Sequence, residues 1–238
     1  MTARRTTLVI AVMSTLVVFA TSVHDEPSVR PQAPAVPAPR WGHAMTYDSD
    51  RRVVLMFAGT ADRRAPLRDF WAWDGHQWTL LPNDSGPSAR DAAILVYDTK
   101  RHRAVLYGGR SPNGTALHDT WEWDGIRWTQ RDTIGPGARV HAVGGYDPER
   151  SQVLVYGGVS PRDEFLSDTW MWDGQRWSES EKSQPVVRVP SGMAFDPASR
   201  RVVMLAHPRD SAGSFTAAEL LEWTGRSWSP LSATRITT

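Results

Sequence analysis

An aromatic–Asp pair returns four times along this chain, as Tyr47-Asp48, Tyr97-Asp98, Tyr146-Asp147 and Phe195-Asp196. The interval is 49 or 50 residues, and three further anchors keep step with it at 49 to 51. Seven residues before each aromatic stands an arginine: Arg40, Arg90, Arg139 and Arg188. Ten residues after it a β-branched and apolar run ends, at Phe57-Ala58-Gly59, Tyr107-Gly108-Gly109, Tyr156-Gly157-Gly158 and Leu205-Ala206-His207. Self-similarity at such a period marks a repeat architecture, whose single unit cannot bury its apolar surface without neighbours.

The last anchor of each copy is an acidic residue followed by spaced tryptophans. It runs from Asp69 to Gly75, Asp119 to Gly125, Asp168 to Gly174 and, in a divergent copy, Glu219 to Gly225. Eleven of the twelve Trp sit at repeat positions: Trp71, Trp73, Trp78, Trp121, Trp123, Trp128, Trp170, Trp172, Trp177, Trp223 and Trp228. Only Trp41 falls outside. Indoles that repeat with the unit are expected to pack between units, more than to display a sugar-stacking surface. The pairs Gly108-Gly109 and Gly157-Gly158 precede no helix and no Lys-Ser/Thr, so they are expected to permit close backbone approach and not to cradle phosphate.

Apolar residues within each copy alternate or run for five to seven positions between Asp, Gly and Pro turn residues, without helical periodicity. This predicts four strands per copy; in the second they span 92–97, 103–107, 120–123 and 127–130, with a hairpin turn at Asp124-Gly125. The expected fold is all-β: a propeller of four four-stranded blades at about 40–82, 88–132, 137–180 and 186–232, either a closed four-bladed ring or a partial propeller. Residues 233–238 form a tail. The arginines and the acidic residues 29 to 31 positions later keep register, which predicts ion pairing within each repeat in preference to a charged ring around a channel.

The diglycine after a β-rich run, followed by Asp-Thr-Trp-Glu-Trp-Asp-Gly and a spaced Trp at Trp128, resembles the kelch repeat of the galactose oxidase central-domain superfamily. The resemblance implies the propeller fold and is not specific for activity; the export signal, the Pro-rich stalk and the variable loop face make an interaction module the expected role. It does not carry copper-radical oxidase chemistry, because the chain has no Cys for the required tyrosine crosslink. Two alternatives arise from similar propellers: an extracytoplasmic carbohydrate-active enzyme of the sugar mutarotase kind, and a self-assembling scaffold that makes the chain a homo-oligomer. The fourth copy departs from the pattern, with Leu221 for the first Trp, Thr224 for the turn Asp, and no diglycine.

Arg4 and Arg5, the apolar stretch from Leu8 to Ala20 and the small residues after it read as a signal peptide or signal anchor over 1–23. An uncleaved segment would tether the protein to a membrane through residues 6–23. Residues 24–39, with five prolines between Pro27 and Pro39, form an extended linker. The expected location is extracytoplasmic.

Lys and Arg number 27 against 26 Asp and Glu, and neither sign forms a run of five or more, so a nucleic-acid surface is not expected. The seven His show no metal-ligand spacing, and no motif marks a nucleophile, so neither catalytic residues, cofactor nor metal is expected. Connections between strands three and four are tight turns, whereas those between strands two and three, and those between blades, vary. In an up-and-down blade the two variable sets share one face, where recognition usually resides. The candidate ligand-binding residues are Arg63, Arg64, Arg68, Arg110, Asn113, His118, Arg162, Glu164, Phe165, Arg209 and Phe215. The expected partner is a protein or a glycan.

Overall fold

The structure is a computed structural model that describes residues 36–61, 65–132, 135–180, 188–210 and 212–231, all within one compact unit, 34–238. The expected signal segment, most of the Pro-rich linker and nearly all of the tail lie outside the described residues. No described helix is long and apolar enough to cross a membrane. The fold is all-β, with four antiparallel four-stranded blades arranged in succession around a ring. Blade 1 contains β1 (Ala44–Asp48), β2 (Val53–Phe57), β3 (Phe70–Trp73) and β4 (Trp78–Leu81). Blade 2 contains β5 (Ile94–Asp98), β6 (Arg103–Tyr107), β7 (Thr120–Trp123) and β8 (Trp128–Asp132). Blade 3 contains β9 (Val143–Asp147), β10 (Gln152–Val159), β11 (Phe165–Trp172) and β12 (Trp177–Glu179). Blade 4 contains β13 (Arg188–Asp196), β14 (Arg201–Pro208), β15 (Glu219–Trp223) and β16 (Trp228–Pro230).

The repeated residues explain the repeated hairpins. Asp98 ends β5 and turns its carboxylate onto the N–H groups of Lys100 and Arg101, at 3.0 and 2.9 Å, which closes the first hairpin. Asp124 does the same for Ile126 and Arg127 in the second, where Gly125 takes φ 98°. Thr224 keeps that turn in blade 4, its hydroxyl accepting from the N–H of Ser227 at 3.1 Å. Two predicted strands of blade 2 shift at both ends, 92–97 to 94–98 and 127–130 to 128–132. Ala92 is left-handed, φ 52°, and cannot join β5; Arg127 belongs to the turn that Asp124 closes.

Arginine and carboxylate meet inside each blade. Arg90 is fully buried and places Nη1 and Nη2 on the two oxygens of Asp119, at 2.7 and 2.9 Å. Arg139 holds Asp168 in the same bidentate way, both at 2.8 Å, and Arg40 pairs with Asp69. The first Trp of the repeat completes the set: the indole N–H groups of Trp71, Trp121 and Trp170 donate to the same carboxylates, at 2.6, 2.6 and 2.7 Å.

Between blades the core is aromatic. Phe57 and Phe70 of blade 1 share a cluster with Leu95, Tyr97, Trp123 and Trp128 of blade 2, and blades 3 and 4 share one around Tyr156, Met204 and Trp228. First strands pack in succession, β1 on β5, β5 on β9 and β9 on β13. Among the described residues no packing of that extent joins blade 4 to blade 1.

Candidate functional site

The variable connections converge on one face. Arg68, in the β2–β3 connection, donates to the carbonyl of Asn83 between blades 1 and 2 at 2.6 Å, and the Asn83 amide donates back to the Arg68 carbonyl at 2.6 Å. On this face the chain enters each first strand through a short bridge to the end of the second: Trp41 with Thr60, Asp91 with Arg110, Val140 with Val159.

The residue after each of those entry positions is left-handed, with φ 64° at Gly42, 52° at Ala92 and 57° at His141. The conformation costs a side-chain-bearing residue about 1–2 kcal/mol. Backbone bonds between blades hold it: Ala92 N–H donates to the Gly42 carbonyl at 2.7 Å, and His141 N–H to the Ala92 carbonyl at 3.2 Å. Three blades are thereby laced together at their inner edge, and His141 is carried to the mouth of a cleft.

That cleft has a volume of about 420 Å³ and is lined by Trp41, Arg110, Ser111, Pro112, Gly114 and His141, contributed by blades 1, 2 and 3. The volume falls in the range of small-ligand sites, roughly 300–1,000 Å³. Trp41 keeps 42 % of its surface exposed. Arg110 is oriented by the buried carboxylate of Asp91, through Nε and Nη2 at 3.1 and 3.0 Å. Burial, and then the Arg110 charge, pull the His141 pKa below its ordinary value against the opposing pull of Asp91, so the imidazole is neutral at neutral pH. The arrangement offers a flat apolar ring, a fixed guanidinium, a hydroxyl and a neutral imidazole.

Of the residues expected on sequence grounds, Arg110 lies in this cleft. Arg209, Phe165 and Phe215 gather elsewhere on blades 3 and 4: the Arg209 guanidinium lies 4.7 Å from the Phe165 ring centre and 5.6 Å from that of Phe215. Both phenylalanines are exposed. Asn113 serves its own turn, accepting from Ser111 Oγ and from the N–H of Thr115 at 3.1 Å. Arg162 and Glu164 are exposed on a loop whose N–H groups donate to Ser160 Oγ, at 3.2 and 3.3 Å. His118 is exposed, Arg68 ties two connections together, and Arg63 and Arg64 lie outside the described residues. Trp41 and His141 were not among the candidates; the signal for Trp41 was its position outside the repeat. Among the described residues no three His, Asp or Glu side chains form a metal-binding group.

Fold and cleft together define a β-propeller with a small-ligand-sized opening on its loop face. Among solved structures the chain is similar to one titled "Structure of YjhT", with a TM-score of 0.64 and 16 % identity over 84 % of this chain and 67 % of that one. No family model matches the sequence, and no curated protein does.

Proposed function

We propose that this chain is an exported, kelch-like binding module whose loop-face cleft takes a small polar ligand, with a sugar ring, free or at the end of a glycan, as the best fit. The observation that carries the reading is Trp41, the one indole outside the repeat, exposed at a cleft that also presents Arg110, Ser111 and His141. A sugar ring has an apolar face for an indole and hydroxyls for a guanidinium and an imidazole. The N-terminal charged and apolar segment followed by prolines supports export to the side of the membrane where glycans are displayed.

The test is a screen of mono- and oligosaccharides by intrinsic fluorescence and calorimetry, repeated with Trp41→Ala. The expected result is binding that falls at least about tenfold in the variant, a loss of about 1.4 kcal/mol, at an unchanged unfolding midpoint. Failure of every saccharide, or binding indifferent to Trp41, overturns the glycan reading. A protein ligand is the second reading, favoured by the exposed Phe165–Arg209–Phe215 cluster, since aromatics with arginine are the side chains interfaces favour. Pull-down partners lost on Phe215→Ser but kept on Trp41→Ala would establish it.

A further inference from the structure

Every blade has two unlike faces, and the contact between them is made three times. Toward the preceding blade a blade turns the aromatic of its first strand and its last Trp; toward the next blade it turns a cross-strand pair. The pairs are Phe57 with Phe70, Tyr107 with Thr120 and Tyr156 with Thr169. Trp128 seats 5.6 and 5.0 Å from Phe57 and Phe70. Trp177 seats 5.1 Å from Tyr107 and donates to Thr120 at 2.9 Å, and Trp228 seats 6.0 Å from Tyr156 and donates to Thr169 at 3.0 Å.

An arginine from the first hairpin clamps each contact. Arg51 donates to the carbonyl of Asp124 on the next blade at 2.9 Å, and Arg150 to that of Thr224 at 3.0 Å. Arg101 covers Gly174 so closely that a Cβ there would lie 2.5 Å from its Nη1.

At the two ends both halves of this contact are present and uncovered. Met45 and Tyr47 of β1 are 46 % and 56 % exposed, where Leu95 and Tyr97 of β5 are 5 % and 4 %. The space over Gly75, where Arg51 lies over Gly125, is open. On blade 4 the receiving pair is Leu205 with Leu220, and Leu205 is 42 % exposed where Phe57, Tyr107 and Tyr156 are buried. Burial alternates along β14, whereas it is nearly continuous along β6 and β10.

We infer that a second copy of this chain docks here head to tail, blade 4 of one copy receiving blade 1 of the other. The two open faces are the two halves of a contact the chain already makes three times, which makes a second copy the occupant that fits both. The pair Leu205–Leu220 matches Phe57–Phe70, an apolar pair that receives Trp128 through ring contacts; Trp78 of the second copy takes that place. Ser199 stands where blades 1 to 3 have Arg51, Arg101 and Arg150, so this contact lacks its clamp and is weaker than those within the chain. A heterologous contact of this kind closes into a ring where the rotation permits and otherwise extends as a chain. Two copies supply eight blades, within the range of about four to eight for propellers.

The experiment is light scattering of the purified protein over a hundredfold range of concentration, with Tyr47→Asp, Leu205→Asp and Ser199→Arg. The mass rises with concentration to twice the monomer or beyond; each Asp variant alone stays monomeric with a cooperative unfolding transition. An equimolar mixture of the two Asp variants associates again, because one intact face remains on each. Ser199→Arg, whose guanidinium is placed to reach the Asp74–Gly75 turn of the second copy, lowers the dissociation constant about tenfold. A wild-type monomer at every concentration, or association that neither Asp variant weakens, overturns the inference.

Discussion

Replacing Arg90 by Ala should be far more damaging than replacing Arg188, although the two occupy the same repeat position. Arg90 is fully buried, spans both oxygens of Asp119, and also donates to the carbonyls of Gly108 and Ser88, at 3.0 and 3.1 Å. Truncation leaves Asp119 with its Trp121 bond and no countercharge, in a setting where removing one partner of a buried pair costs about 3–5 kcal/mol. Arg188 reaches Glu219 through Nε at 3.1 Å, and the Glu219 side chain is 40 % exposed, so solvent screens the pair and its loss costs about 1 kcal/mol. For a domain of this size 1 kcal/mol corresponds to about 2–4 °C of unfolding midpoint. The expectation is therefore a drop of roughly 6–20 °C for Arg90→Ala and of roughly 2–4 °C for Arg188→Ala, monitored by circular dichroism and tryptophan fluorescence. Equal drops would refute the reasoning, since burial of the carboxylate partner is what separates the two sites.

The acid limb of stability depends on the same carboxylates. Burial alone would raise Asp119 and Asp168, but the hydrogen bonds and charge of Arg90 and Arg139, with the indole N–H bonds, hold both below the usual range. A depressed folded-state pKa contributes stability above the unfolded value, about 3.9, and loses it as pH falls through the folded value. Urea midpoints should therefore decline modestly below about pH 6.5, where His43 and His141, held below their ordinary pKa in the fold, take up protons on unfolding, and drop further below about pH 4, this lower limb being less steep in Arg90→Ala; a lower limb equally steep in Arg90→Ala and wild type would contradict this. Gly109→Ala and Gly75→Ala form a second pair. Both glycines have φ 99°, but a Cβ at Gly109 would lie 2.7 Å from the Asp91 carbonyl oxygen, whereas that at Gly75 meets open space. The Gly75 change should cost about 1–2 kcal/mol for the backbone conformation alone and the Gly109 change about 3 kcal/mol or more; equal urea midpoints would show that the clash is relieved freely.

The blades could be read from the sequence because their anchors are local: an Asp that closes its own hairpin, a Trp two residues after the acid it bonds, a Gly beside the strand it must approach. The Arg–Asp pairs were legible for the same reason, both partners keeping register. The cleft was not. Its floor and walls come from three blades, and His141 reaches it through a left-handed backbone held by the Ala92 carbonyl of the neighbouring blade, which no periodicity announces. Phe165, Arg209 and Phe215 each stand among the loop-face candidates on sequence grounds, but their convergence depends on loop paths that the sequence leaves open.

The fourth copy shows what register alone conceals. Its substitutions look like general wear, but they are sorted by face. The half that meets blade 3 is kept: Phe195 and Met193 pack on the shared core, and Trp223 and Trp228 are buried. The Trp-to-Leu change at Leu221 goes with the change from Asp to Glu219, because the indole N–H is what holds the shorter carboxylate in the other blades; without it Arg188 meets a longer, more exposed acid. The half that would meet a further blade has relaxed at three points that share no sequence neighbourhood, Ser199 for the clamp, Leu205 for the aromatic, and Leu220 for the threonine acceptor that Trp177 and Trp228 use elsewhere. These three positions are the ones that separate the unclamped contact inferred between copies from the three clamped contacts within the chain, which is why the former is the weaker.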